Sequence, residues 1–256
     1  PGSITFVANV GEEGLGDLRG VKALFAETLK NQVDAFVSLD NAGLLVSSVG
    51  VGSHRYRFTF RGPGGHSFAQ FGLPNPAHAL GRAVAAIAEV QVPSSPYTTF
   101  NVGRIGGGTS VNAIPEEAWM EVDMRSSAPD ALAALDDRIQ AAVAAAVTGE
   151  NARWRKPGVV SVKTELVGDR PAGQVSERAP IVRTARAVGR ALNLSIGPGE
   201  SSSDANLPMS LGIPAITIGA GGRSADSHAI TESFDLTDAW RGTQNALLLA
   251  IALARP

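Results

Sequence analysis

Two adjacent glutamates, Glu12 and Glu13, stand between glycines in Gly11-Glu12-Glu13-Gly14. Neighbouring carboxylates repel unless a cation neutralises them or one of them takes a proton. Both outcomes are chemically useful: one carboxylate can hold a metal ion while the other acts as general base on a water molecule. The plain alternative is a solvated loop that carries two acids. Asp40 adds a third carboxylate at the end of a short apolar run, a position where an acid also serves as a turn former. His228 lies in a polar loop just after Gly219-Ala220-Gly221-Gly222. That place suits a metal ligand, and Glu232 is positioned to orient the imidazole from behind. Of the other three histidines, His54 precedes a strand and His78 lies in an Ala-rich helix, and both read as structural. His66, in Gly64-Gly65-His66-Ser67, is open to either role.

The elements around these residues set where they stand. Residues 4–10 (ITFVANV) are apolar and β-branched, which predicts a buried strand ending at the glutamate pair. Residues 18–29 predict an amphipathic helix, and residues 35–39 (AFVSL) a second strand ending at Asp40. In open α/β sheets, ligands bind beyond the carboxyl ends of strands. From about residue 50 the pattern changes. Strands are predicted at 56–61, 98–105, 118–125 and 159–166, with Ala-rich helices at 76–90 and 129–147. That βαββαβ order is a split βαβ sandwich able to fold alone. After residue 168 the α/β style resumes, with a helix at 179–192, a strand at 215–219 and a closing helix at 236–253. The expectation is an α/β catalytic domain made of residues 1–49 and 169–256, interrupted by an α+β lid or dimerisation domain at 50–168.

Composition narrows the classes of function. The 256 residues carry a formal net charge of -2, which argues against nucleic-acid binding, where clustered Lys and Arg meet phosphates. No apolar run approaches a membrane span. Cys is absent, so any metal is held by His, Asp or Glu. That fits a catalytic site better than a structural one. It also agrees with a cytoplasmic location, and the opening Pro1-Gly2-Ser3 gives no sign of a secretory leader.

Taken in order, several segments resemble the M20 family of metallopeptidases and deacylases. They are Gly11-Glu12-Glu13-Gly14, Asp40, Gly65-His66-Ser67 with Asn75-Pro76, and Gly108-Thr109-Ser110-Val111-Asn112-Ala113-Ile114-Pro115. Val122-Asp123-Met124-Arg125, Gly168-Asp169-Arg170-Pro171-Ala172-Gly173, Ser203-Asp204-Ala205-Asn206, and His228 with Glu232 complete the set. The resemblance implies a two-zinc enzyme, with cobalt or manganese as substitutes, that hydrolyses amide bonds in small peptides or N-acyl amino acids. It gives Glu12 the role of general base. It makes Glu13 and His228 ligands of one metal and Asp40 a ligand of the second. His66, Asn112 and Arg125 become substrate contacts on the inserted domain, His66 through the partner subunit's site and Arg125 through a substrate carboxylate. A homodimer is therefore implied. Asp204 is left as a supporting or structural residue.

One part of the family pattern is missing. The family carries a His-x-Asp motif and a later metal-bridging Asp, both ahead of the glutamate pair. Here eleven residues precede Glu12 and His-x-Asp occurs nowhere. With Glu13 and His228 on one metal and Asp40 on the other, neither reaches the three protein ligands usual for catalytic zinc. Compared with the family this sequence reads as N-terminally truncated, and the expectation is weak zinc binding and little hydrolysis by this chain alone. A catalytically inactive dimerisation or binding module of the same fold is the alternative. A serine hydrolase built on Ser201-Ser202-Ser203-Asp204 lacks the Gly-x-Ser-x-Gly elbow. Gly106-Gly107-Gly108 has no following Lys of the P-loop kind and reads as a tight turn.

Overall fold

The structure is a computed structural model that describes residues 2–155, 159–227 and 229–255. It divides into two compact units, Pro1–Gly52 with Arg170–Pro256, and Ser53–Asp169.

In the unit Ser53–Asp169, four strands form one sheet in the order Thr98–Gly107, Glu117–Ser126, Gly52–Arg61, Ser161–Arg170. The helices Pro76–Ala88 and Pro129–Arg153 complete the βαββαβ order. Strict alternation on Glu117–Ser126 decides which face is covered. Ala118, Met120, Val122 and Met124 are buried with Phe58, Phe60 and apolar residues of both helices, including Leu80, Ile87, Leu135 and Ile139. The intervening residues carry charge: Arg55 and Arg125 meet Asp123, Arg57 and Arg104 meet Glu121, and the Arg57 guanidinium lies 3.9 Å from the Trp119 ring centroid. Helix Pro76–Ala88 starts where the sequence dictates. The Asn75 side chain accepts from the Ala77 amide at 2.8 Å and Pro76 occupies the first turn. A short ladder pairs Gly65–His66 with Ala113–Ile114.

The other unit contains a mixed five-stranded sheet. Phe36–Leu39 runs parallel to Ala215–Ile218, which is antiparallel to Leu45–Gly50, which in turn is parallel to Gly197–Ser201. Gly173–Gln174 also pairs with Leu45–Gly50. Helices Pro180–Ala191 and Trp240–Leu253 pack on this sheet through Ile181, Val182, Ala185, Val188 and Leu249 against Val46, Ile216 and Ile218.

The expected first strand does not form. Residues 4–10 have no ladder partner among the described residues, and Ile4, Phe6, Val7 and Val10 are exposed. A β-branched run becomes a strand only when a neighbour satisfies its amides and covers its side chains. Here close approach to glycines fixes the end of the segment instead. A Cβ at Gly20 would lie 2.2 Å from the Val10 carbonyl oxygen, and one at Gly16 would lie 2.6 Å from that of Gly11. The helix predicted at 18–29 forms as Arg19–Ala23 followed by a wider turn, Leu24–Thr28. Its buried face is Leu18, Val21 and Phe25.

Candidate functional site

The glutamate pair is held from outside its own loop. Arg170 ends strand Ser161–Arg170, and its side chain is only 4% exposed. Its Nη1 donates to Glu12 Oε1 at 2.7 Å and to Ser202 Oγ at 3.2 Å, while Nη2 donates to the Glu12 main-chain carbonyl. Glu12 is thereby half-buried and Glu13 exposed. Asp40 follows strand Phe36–Leu39, where its amide donates to the Ile218 carbonyl at 3.0 Å and its Oδ1 accepts from the Asn41 amide at 2.7 Å. Asp204 joins the same group: its Oδ2 accepts from Asn9 Nδ2 at 2.6 Å, and its buried Oδ1 has no hydrogen-bond partner among the described residues.

These carboxylates sense one another. Burial pushes the Glu12 carboxyl above its ordinary value, Asp40 and Glu13 add to the rise, and Arg170 opposes it. Asp40 is raised first by burial and then by Glu13 and Asp204, against the Asn41 hydrogen bond and Arg170. Asp204 is raised by burial, against Asn9 and Arg170. Each group thus holds its proton more tightly folded than unfolded. Its contribution to stability is complete below the ordinary values of 3.8 for aspartate and 4.5 for glutamate, and is lost as pH rises through the raised ones. With divalent cations chelated, Asp40→Asn is expected to raise the melting temperature at pH 7 and to lose that advantage as pH falls toward 4. Thermal unfolding of both proteins across that range is the check, and equal or lower stability for the variant at pH 7 contradicts it.

Acidic groups short of positive charge suit a hard divalent cation, and Glu13 and Asp40 are the oxygen donors nearest to that role. Among the described residues, however, no group of three or more His, Cys, Asp or Glu could hold a metal ion. His228 lies outside the described residues. The exposed segment Thr231–Glu232 is anchored by Thr231 Oγ1 donating to Asp226 Oδ2 at 3.0 Å.

In the other unit, His66 and Asn112 come together and Arg125 stands apart from them. The Gly65–His66 ladder places His66 opposite Ala113, and the Ser67 amide donates to the Asn112 carbonyl at 3.0 Å. His66 Nδ1 accepts from the amides of Phe68 and Ala69 at 3.2 and 3.3 Å. A neutral ring with an accepting Nδ1 carries its proton on Nε2. Arg125 sits near the far end of Glu117–Ser126, roughly 26 Å of strand from Glu117, with its Nε on Asp123 at 2.7 Å. His54 and His78 have structural partners: His54 Nδ1 meets Asp136 at 2.7 Å, and His78 lies 3.6 Å from Glu150.

The residue that sequence reasoning passed over is Arg170. Its segment carries part of the family resemblance, but nothing in its spacing from Glu12, 158 positions away, links the two. The place of Asp204 beside Asp40 was equally hidden.

Residues 51–149 match the peptidase dimerisation domain of M20 proteins. N-acetylcysteine deacetylase of Bacillus subtilis is 28% identical over 132 residues, covering 49% of this chain and 33% of the enzyme. Aminopeptidase PepT of Bacillus cereus superposes with a TM-score of 0.73 at 20% identity, over 96% of this chain and 63% of PepT. The YXEP protein of Bacillus subtilis, described as a dinuclear metal binding peptidase from the M20 family, gives 0.65 at 17% identity, over 96% and 64% of the two chains. The chain thus spans a third of the deacetylase's length and just under two thirds of the other two. It carries the dimerisation domain and the fold of the M20 peptidase family.

Proposed function

We propose that the natural protein hydrolyses the amide bond of small peptides or N-acyl amino acids, with Glu12 as the general base. The observation that carries this reading is the half-buried Glu12 carboxylate, raised in proton affinity and set beside Glu13 and Asp40. A base works best when its pKa approaches the working pH, and burial among like charges moves Glu12 in that direction. Glu13, Asp40 and His228 are the residues that would hold metal, in the two-zinc pattern that the family resemblance implies. A divalent cation bound there would acidify water and polarise the scissile carbonyl.

Glu12 takes a proton from the attacking water as oxygen bonds to the carbonyl carbon, and returns it to the nitrogen as the C–N bond breaks. In the implied homodimer, His66 would offer its Nε2–H to the developing oxyanion in the partner subunit's site, a contact often worth about 3 kcal/mol. Arg125, kept in place by Asp123, is assigned a substrate carboxylate, and Asn112 a polar contact beside His66. The domain match supports a homodimer formed through residues 51–149.

Hydrolysis of a panel of N-acyl amino acids and di- and tripeptides by the natural protein tests the reading. Turnover is expected to vanish with a chelator and return with zinc, cobalt or manganese, and chelator-insensitive turnover contradicts it. This chain by itself, in which the resemblance gives Glu13 and His228 to one metal and Asp40 to the other, is expected to bind zinc more weakly than micromolar by titration calorimetry. The second reading is a catalytically inactive dimerisation or binding module of the same fold. A natural protein that purifies without stoichiometric metal and hydrolyses none of the panel would establish that one.

A further inference from the structure

We propose that Arg170 is a positioning residue for Glu12: it fixes Oε1 and the main chain of the Glu12–Glu13 loop so that Oε2 is left to meet the attacking water. This rests on the amide-hydrolase reading above. The loop needs such a device. It leaves no strand, since residues 4–10 form none, and it turns through Gly11 at a φ of 70° and Gly14 at 51°. Among the described residues, no other side chain hydrogen-bonds the Glu12 carboxylate. Left to itself, such a side chain would sample several rotamers.

The form of the contact distinguishes positioning from a simple ion pair. An ion pair needs one nitrogen. Arg170 gives Nη1 to the Glu12 carboxylate and Nη2 to the carbonyl of the same residue, so side chain and main chain are fixed together. Ser202 Oγ accepts from Nη1 and holds the fork from the other side. Among the described residues its Nε has no hydrogen-bond partner, so the guanidinium makes its contacts through Nη1 and Nη2. Pro171 restrains the backbone immediately after it. A planar fork performs both tasks at once, and a lysine ammonium on a flexible stem does not.

Two readouts test this, one of them independent of catalysis. In this chain, limited digestion with a glutamate-specific endoprotease reports release of the loop. Arg170→Ala is expected to accelerate cleavage after Glu12 and Glu13 by about tenfold or more, the loss of at least one charge-assisted hydrogen bond. Cleavage at other glutamates and the circular dichroism spectrum stay as in the parent. Glu12→Gln, which keeps an accepting Oε1, is expected to leave the Glu13 site as protected as in the parent. In the natural protein, Arg170→Ala is expected to lower kcat about a hundredfold with little change in KM. Added guanidinium chloride restores part of the rate, and sodium chloride at equal ionic strength does not. Should Arg170→Ala fail to fold, Arg170→Lys serves instead, with intermediate digestion and an intermediate kcat. Parent-like digestion and kcat in the variant that folds overturn the proposal. If Glu12→Gln retains full turnover, the base assignment fails, and the digestion readout still decides whether Arg170 holds the loop.

Discussion

Glu12→Gln in the natural protein is expected to lower kcat about a thousandfold while leaving metal content unchanged. General-base assistance contributes about 10²- to 10⁴-fold, and an amide in the same place keeps the shape but cannot accept a proton from water. The Arg170 contact survives the change, because the Gln carbonyl oxygen still accepts from Nη1, so the loop is not released. Metal content separates this outcome from loss of a ligand: substitution of Glu13 or Asp40 is expected to lower bound metal, and substitution of Glu12 is not. Steady-state kinetics beside elemental analysis of the same preparations provides the check. Wild-type turnover in Glu12→Gln removes the base from the mechanism. Lost metal would instead make Glu12 a ligand.

The largest stability effect is expected at Glu150 in the unit Ser53–Asp169. Its side chain is 0% exposed. Oε1 accepts from the Asn75 amide and from Trp154 Nε1, both at 3.1 Å, and Oε2 accepts from Arg82 Nε at 3.2 Å. One carboxylate therefore ties the start of helix Pro76–Ala88 to the end of helix Pro129–Arg153. Glu150→Ala leaves buried donors without partners and is expected to cost about 3 kcal/mol, or roughly 10 °C in melting temperature. Glu150→Gln retains an acceptor for each of two donors and is expected to cost about 1 kcal/mol. Thermal unfolding followed by circular dichroism distinguishes them. A Glu150→Ala protein that melts with wild type would show that the helices hold together without this hub.

The legible parts of the sequence were those where local pattern and tertiary context agree. Alternation from Ala118 to Met124 and the Asn75-Pro76 start signal mark elements whose own residues define them, and the structure forms both. The run at residues 4–10 has equal local signal and forms no strand, because a strand requires a partner that sequence periodicity cannot supply. Strand Leu45–Gly50 was hidden for the opposite reason. Its Ser47 and Ser48 are buried, satisfied by the Val49 carbonyl and by Glu177, so apolar periodicity is lost where burial is greatest. The same limit applies to the candidate site. Glu12, Glu13 and Asp40 are readable as acids beside an α/β layer, and the structure sets them within electrostatic reach of one another. The Arg170 fork and the buried Asp204 oxygen depend on contacts between distant segments, and no local spacing announces them.

Crystals of the natural protein grown with zinc, with diffraction measured at the zinc absorption edge, address the metal centre directly. The expected result is two anomalous peaks, one about 2.0–2.2 Å from a Glu13 carboxylate oxygen and a His228 nitrogen and the other at that distance from an Asp40 carboxylate oxygen, with Glu12 Oε2 beside the site but not on either metal. Density elsewhere, or Glu13, Asp40 and His228 directed into separate surroundings, would contradict the hydrolase assignment.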